Sequence, residues 1–121
     1  MIRKFCHVIS WPGALSNATY TFTWAMPSDC TLVEVSSCQS NATAASTWTL
    51  VTDADPNGFI TAGAFGASGS PTVYDKGDFD GALVTGDFPR LAADDNMELV
   101  ITGTAANQAT DGMIVLTFVE G

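Results

Sequence analysis

The chain has 121 residues, which suits one domain, and a chain of this length buries a hydrophobic core without help from disulfides or metals. Four Lys and Arg residues against thirteen Asp and Glu residues give a formal charge of −9 at pH 7. Nucleic acids and anionic membranes both attract basic surfaces, so we expect neither as a partner. No apolar run approaches the ~20 residues that span a bilayer, and the opening residues lack the apolar stretch of a secretory signal.

Short stretches of alternating apolar and polar residues dominate the sequence, and this period of two predicts half-buried β-strands. In residues 19–24 the alternation puts Tyr20, Phe22 and Trp24 on one face and three threonines on the other. The last stretch is apolar at almost every position, which predicts a central strand covered on both faces. In chain order, the predicted strands are residues 5–10, 19–24, 31–36, 46–52, 97–102 and 113–119.

Turn-forming clusters rich in Gly, Pro, Asn and Asp separate these stretches, and helical periodicity is limited to one short turn in residues 59–65. The least regular segment, residues 66–90, predicts a long excursion over the surface. Many short strands with regularly spaced turns predict an all-β fold: an antiparallel β-sandwich, jelly-roll-like, with about seven or eight strands. We expect residues 1–121 to form a single domain, with residues 1–10 as an arm or edge strand that contacts a partner.

One loop has part of the pattern of a metal site. Asp53, Asp55 and Asn57, followed by Gly58, match the first half of a calcium-binding loop, in which several oxygen ligands converge in a tight turn. The twelfth position is Ala64, where a bidentate Glu is required, and a simple turn explains the same residues. We therefore expect no cofactor, with calcium at this loop as the candidate to test. The acidic residues 75–81 have the same two interpretations, a cation or partner site and a solvated loop.

Catalytic patterns are sparse. His7 is the one histidine, and its neighbour Cys6 would point to the opposite face of a strand, so the two cannot form a nucleophile and base. We expect no enzyme activity. Three cysteines without a secretion signal predict reduced thiols, although a disulfide between Cys30 and Cys38 stays open.

Three tryptophans raise the question of sugar stacking. Trp24 and Trp48 lie in alternating apolar rows, which predicts that they pack in the core. Trp11 precedes Pro12 and Gly13 and is the one tryptophan that we expect to be exposed. It has two interpretations, a binding residue and a plug at the end of the sandwich.

The chain resembles a family of small virion proteins of tailed bacteriophages over residues 20–121. The resemblance is carried by the runs at residues 31–38, 52–60, 78–81 and 112–121. It implies a capsid decoration (cement) protein: a β-sandwich that docks on the outer surface of an assembled capsid and staples neighbouring major capsid protein subunits. Such a protein is made in the host cytoplasm and located in the virion. The family has no catalytic residues to carry over.

A cement protein must hold several subunits at once, which favours a symmetric oligomer. We expect a homotrimer, with a dimer as the alternative. The chain has only four basic residues, and these can meet acidic patches on a capsid. The predicted partner-binding residues are Arg3, Lys4, Phe5, Trp11, Lys76 and Arg90. Two other functions remain open: a carbohydrate-binding module, with or without calcium, displayed on a virion, and a component of the tail or fibre.

Overall fold

The computed structural model describes residues 3–42, 45–52, 55–80 and 88–121, with the backbone alone described at residues 55–58. Within these ranges the chain forms nine β-strands and no helix, so the described residues contain no helix that could cross a membrane. The strands are β1 (Lys4–Ser10), β2 (Thr19–Ala25), β3 (Cys30–Cys38), β4 (Thr47–Thr52), β5 (Asp55–Ala64), β6 (Thr72–Tyr74), β7 (Arg90–Leu91), β8 (Asn96–Thr102) and β9 (Met113–Glu120).

The strands form two antiparallel sheets. The five-stranded sheet has the order β1-β9-β3-β6, with β7 also paired to β3, and the four-stranded sheet has the order β2-β8-β4-β5. This architecture confirms the predicted all-β, sandwich-like fold, and β9 has the central position that its apolar sequence predicted. The described strands exceed the predicted number because β6 and β7 have only three and two residues, too few for an alternating pattern to be recognised.

The core lies between the two sheets, as the alternation predicted. Met97, Leu99 and Ile101 of β8 are fully buried, and Trp48 and Leu50 lie beside them on the neighbouring strand β4. The opposite sheet contributes fully buried residues at every second position of β9: Ile114, Leu116 and Phe118.

A β-bulge in β3 determines which of its side chains face outwards. Leu32 pairs with Phe118 and Glu34 with the adjacent Thr117, so Val33 is an extra residue in the ladder. An extra residue reverses the alternation of side chains along the strand. Odd-numbered positions therefore face outwards before the bulge, and even-numbered positions face outwards after it.

The short helical turn expected in residues 59–65 is wrong, because β5 occupies these residues up to Ala64 and pairs with β4. Phe59 and Ile60 are both buried. Pairing with β4 and burial in the core outweigh the weak helical pattern of the local sequence. The long excursion predicted for residues 66–90 also contains structure, since it includes β6 and the start of β7, and Phe79 lies in the core.

The prediction that β9 is covered on both faces is also wrong. Its inward residues are fully buried, but the outward Met113 is 39% exposed and the outward Val115 is partly exposed. No described element packs on this side of the sheet, so its apolar outward residues are in contact with solvent.

Candidate partner-binding face

The outward side of the five-stranded sheet carries an ordered set of rows that run across the strands. We define the outer face by its outward side chains, which lie on β1, β9, β3, β6 and β7. They are Lys4, Cys6, Val8, Ser10, Met113, Val115, Thr117, Val119, Thr31, Glu34, Ser36, Cys38, Val73 and Arg90.

Two basic residues lie at the ends of one row. Lys4 pairs with Val119, Val119 pairs with Thr31, and Thr31 pairs with Arg90. Lys4 and Arg90 are both exposed. Since adjacent strands lie ~4.8 Å apart, the backbones of these two residues are separated by about 14 Å. The fold thus places two of the chain's four Lys and Arg residues in one line at one end of the sheet.

A second row contains three valines and one serine. Val8 pairs with Val115, Val115 with Ser36, and Ser36 with Val73. Val8 is 50% exposed and Val73 is 48% exposed, and Met113 lies exposed in the next row. Exposed apolar side chains that form a continuous patch mark surfaces for association more often than single ones do.

The charge of this face is opposite in sign to that of the chain. Among its outward strand residues, Lys4 and Arg90 are basic and Glu34 is acidic, whereas the whole chain has a formal charge of −9. Many of the acidic residues that the structure describes lie in loops instead, including Asp75, Asp78, Asp80, Asp94, Asp95 and Asp111. The outer face can therefore approach an acidic surface that the rest of the molecule would repel.

Arg3 lies beside the basic row, at the rim of the sandwich. Its Nε donates to Glu120 Oε2 at 2.9 Å, its Nη2 donates to the same oxygen, and the Glu120 amide donates to the Arg3 carbonyl. The Arg3 side chain is 72% exposed. Three of the predicted partner-binding residues, Arg3, Lys4 and Arg90, are thus at one end of the five-stranded sheet.

The other predicted residues do not join this group. Phe5 points inwards, and its ring stacks on Phe118 with centroids 5.2 Å apart. Lys76 is exposed but lies in a turn in which the Asp75 amide donates to Asp78 Oδ2 and the Asp78 amide donates to the Asp75 carbonyl. These two bonds close a turn around Lys76, at a distance from the basic row of the outer face.

Trp11, which the sequence predicted to be exposed, is instead partly buried against the core. Its ring meets Phe65 edge-on with centroids 5.6 Å apart. It also covers Gly112, where a Cβ atom would lie 2.1 Å from Trp11 Cζ2. This packing favours the plug interpretation, since a ring held edge-on in this way offers little flat surface to a sugar.

A shallow depression of about 320 Å³ lies next to the basic row. It is lined by Asp29, Cys30, Arg90, Leu91, Ala92 and Gly121. Burial raises the pKa of the Cys30 thiol, and the nearby carboxylates of Asp29, Asp95 and Glu120 raise it further. A raised pKa disfavours the thiolate, which is the nucleophilic form of cysteine.

The remaining titratable candidates are separated by the strands. Cys6 faces outwards near the Thr117 hydroxyl, at 3.6 Å, whereas His7 faces inwards and stacks on Trp24 with centroids 4.3 Å apart. This arrangement confirms that Cys6 and His7 point to opposite faces of the sheet. Cys30 and Cys38 are at opposite ends of β3, about 26 Å apart along an extended strand, so the disulfide left open by the sequence does not form.

The calcium candidate falls largely outside the described residues. Asp53 is not described, and at Asp55 and Asn57 only the backbone is described, as the start of β5. Among the described residues, no group of three or more His, Cys, Asp or Glu side chains could hold a metal ion. The calcium site stays a prediction from the sequence.

Comparison with solved structures places the fold among known proteins. A chain of the cyanophage Pam1 capsid asymmetric unit matches over 99% of this chain and 85% of its own length, with a TM-score of 0.51 and 15% identity. At this identity the likeness is one of fold. The fold implied by the sequence resemblance is therefore one that a solved phage-capsid structure contains.

Two further matches have TM-scores below 0.5, and we draw nothing from them. A protein of Bacillus endospore appendages covers 99% of this chain and 89% of its own, at 13% identity and a TM-score of 0.44. A chain from the structure of infectious bursal disease virus, Gx strain, matches over 98% of this chain and 32% of its own length, at 10% identity and a TM-score of 0.41. No protein-family model matches the sequence, and a search of curated proteins finds no match.

The apolar part of the outer face was not found from the sequence. Val8, Val73, Val115 and Met113 were not predicted as partner-binding residues. The signal was available in β9, where apolar residues occupy outward as well as inward positions. This pattern predicts a strand that is covered on both faces, although an exposed surface that binds a partner gives the same pattern.

Proposed function

We propose that this protein is a non-enzymatic capsid decoration (cement) protein of a tailed phage, located on the outer surface of the virion. Its outer face would bind the major capsid protein and staple neighbouring subunits. The observation that carries the proposal is the row from Lys4 to Arg90 on the same face as the exposed valines, on a chain that is otherwise strongly acidic. The fold shared with a Pam1 capsid-asymmetric-unit chain supports a virion role.

The size of the outer face explains why stapling needs more than one contact. Four strands at ~4.8 Å spacing and seven residues at ~3.3 Å rise cover roughly 400–450 Å². A standard interface buries ~800 Å² per partner. One copy of the face therefore binds weakly, and firm attachment requires several linked contacts, whose effective concentration raises the overall affinity.

A charge-reversal experiment tests the docking surface. Purified capsids that lack the protein are incubated with wild type, with the Lys4→Glu/Arg90→Glu variant, and with Lys76→Glu. Occupancy is measured by co-sedimentation at low and high salt. We expect the double variant to lose at least tenfold in affinity and the wild-type affinity to fall with salt, because charge pairs at the rim are screened.

Lys76→Glu is the control for a charge reversal outside the outer face, although it changes the net charge half as much as the double variant does, and it lies in a turn that already contains Asp75 and Asp78. We expect its occupancy to stay near that of wild type. Equal occupancy of wild type and double variant would show that the basic row does not dock. Failure of the wild-type protein to bind capsids at all would contradict the cement function itself, and binding to purified tails instead would place the protein in the tail or fibre.

A further inference from the structure

The strand β2 forms a long, regular edge of the four-stranded sheet. It pairs with β8 residue for residue from Thr19–Thr102 to Ala25–Asn96, without a bulge. In the part of the chain that the structure describes, no strand pairs with its other side. Every second residue of such an edge presents unsatisfied backbone N–H and C=O groups to the outside.

This edge lacks the features that usually prevent strands from pairing between molecules. Natural edge strands are kept apart by charged side chains, proline, bulges or short length. The seven residues of β2, Thr-Tyr-Thr-Phe-Thr-Trp-Ala, contain no charge, no proline and no glycine. They do so in a chain of formal charge −9, where charges to protect an edge are abundant.

The inward side of β2 is also incompletely covered. Phe22 is 37% exposed, although its neighbours on β8 are fully buried. Trp24 lies against His7 of β1, which puts the two edge strands on the same side of the sandwich. Of these two edges, β1 carries a charged residue, Lys4, and β2 carries none.

We propose that β2 pairs in antiparallel fashion with β2 of a second copy of this chain, across a twofold axis at Phe22. The pairing joins two four-stranded sheets into one eight-stranded sheet. It satisfies the open backbone groups of both edges and covers the exposed ring of Phe22. The inference does not rest on the proposed function, because it concerns the isolated protein.

The sequence of β2 is complementary to itself in this register. Phe22 meets Phe22 of the second copy, Tyr20 meets Trp24, and Thr21 meets Thr23. Aromatic pairs and threonine pairs are among the favourable cross-strand neighbours. No two like charges are brought together, which matters for the self-association of an acidic protein. The pairing is isologous and gives a dimer, the alternative to the homotrimer expected from the sequence.

Charge-swapped variants test the pairing. Thr21 and Thr23 are exposed and face away from the core, so each folded monomer tolerates substitution there. In the proposed register each Thr21 lies opposite Thr23 of the other copy. Thr21→Lys/Thr23→Lys and Thr21→Glu/Thr23→Glu therefore each create two like-charge pairs, whereas a mixture of the two variants creates opposite-charge pairs.

The readout is mass by light scattering from 10 μM to 1 mM protein, with circular dichroism to confirm folding. We expect wild type at twice the 12.6 kDa chain mass, each charged variant as a monomer, and the equimolar mixture as a dimer. Ser68→Lys/Ser70→Lys, which adds the same two charges to an exposed loop, should remain a dimer. A monomeric wild type at 1 mM, a wild-type trimer, or charged variants that stay dimeric would overturn the proposal.

Discussion

The indole ring of Trp48 occupies the space that a side chain at residue 63 would need: a Cβ atom on Gly63 would lie 2.3 Å from Trp48 Cδ2. The two residues are paired across β4 and β5, and Trp48 is fully buried. A methyl group here forces the ring to move inside a close-packed core. We expect Gly63→Ala to lower the free energy of unfolding by about 1–3 kcal/mol, measured by urea denaturation.

A second variant separates overpacking from an intrinsic effect of removing glycine. Trp48→Phe is itself destabilising, but it leaves space beside residue 63. We expect Gly63→Ala to cost at least 1 kcal/mol less in the Trp48→Phe background than in wild type, because the clash is relieved. The same loss of stability in both backgrounds would show that the ring is not the cause.

The ion pair between Arg3 and Glu120 should contribute little to stability. The two side chains are 72% and 37% exposed, and exposed ion pairs are worth ~0–1 kcal/mol because water and salt screen them. We expect Arg3→Ala to reduce the unfolding free energy by less than about 1 kcal/mol, with a smaller loss at high salt. A larger loss in urea denaturation would mean that Arg3 anchors β1 to the sheet.

Glu120→Gln gives a prediction that depends on the proposed docking. The substitution removes a carboxylate at the rim beside the basic row and releases Arg3 from its partner. We expect tighter binding to capsids, by roughly two- to tenfold, in the co-sedimentation assay. Gln keeps the size of the side chain, so a decrease in affinity would count against an acidic capsid surface facing this end.

The fold could be predicted from the sequence because its main strands obey simple alternation. Apolar residues occupy every second position of β4 (Trp48 and Leu50) and of β8 (Met97, Leu99 and Ile101). A strand with one buried face is enough to produce that pattern. The short strands β6 and β7 could not be found, since pairing with β3 rather than local sequence makes them strands. The strand at Phe59 is not predictable for the same reason, because it is formed by pairing with β4.

The candidate face was predictable in part. Basic residues are scarce in this chain, which is why Lys4 and Arg90 were predicted to bind a partner. The sequence does not give the register between strands, however. Only the pairing of four strands shows that the two residues lie in one row. The bulge at Val33 could not be predicted either, because two successive apolar residues do not show which of them is unpaired in the ladder. If the bulge is ignored, simple alternation assigns the residues of β3 on one side of Val33 to the wrong face of the sheet.

His7 makes the stability of the protein depend on pH. Burial lowers the pKa of His7 below its ordinary value of 6.5. Between the lowered pKa and 6.5 the unfolded chain binds more protons than the folded chain, so stability falls as the pH decreases through this window and is fully present above it. His7→Phe, which keeps a ring against Trp24, should lose this step. We expect the urea midpoints of wild type and variant to diverge between pH 7.5 and pH 5.5, and parallel curves would contradict the assignment.

Thiol labelling gives a footprint of the outer face. Cys6 is exposed between the row of Lys4 and the row of Val8, whereas Cys30 is buried and burial raises its pKa. In the folded protein, we expect a maleimide to label Cys6 at least tenfold faster than Cys30, with labelling sites identified by mass spectrometry of peptides. Cys38, which is partly buried on the same face, should react at an intermediate rate.

The same reaction then tests docking from the protein's side. If the outer face lies against the capsid, bound protein should be protected at Cys6 by at least tenfold, and protein already carrying a bulky maleimide there should not bind. Cys6→Ser provides the control, since it removes the label site without adding volume and should bind as wild type does. Full reactivity of Cys6 in capsid-bound protein would mean that another surface of the sandwich makes the contact.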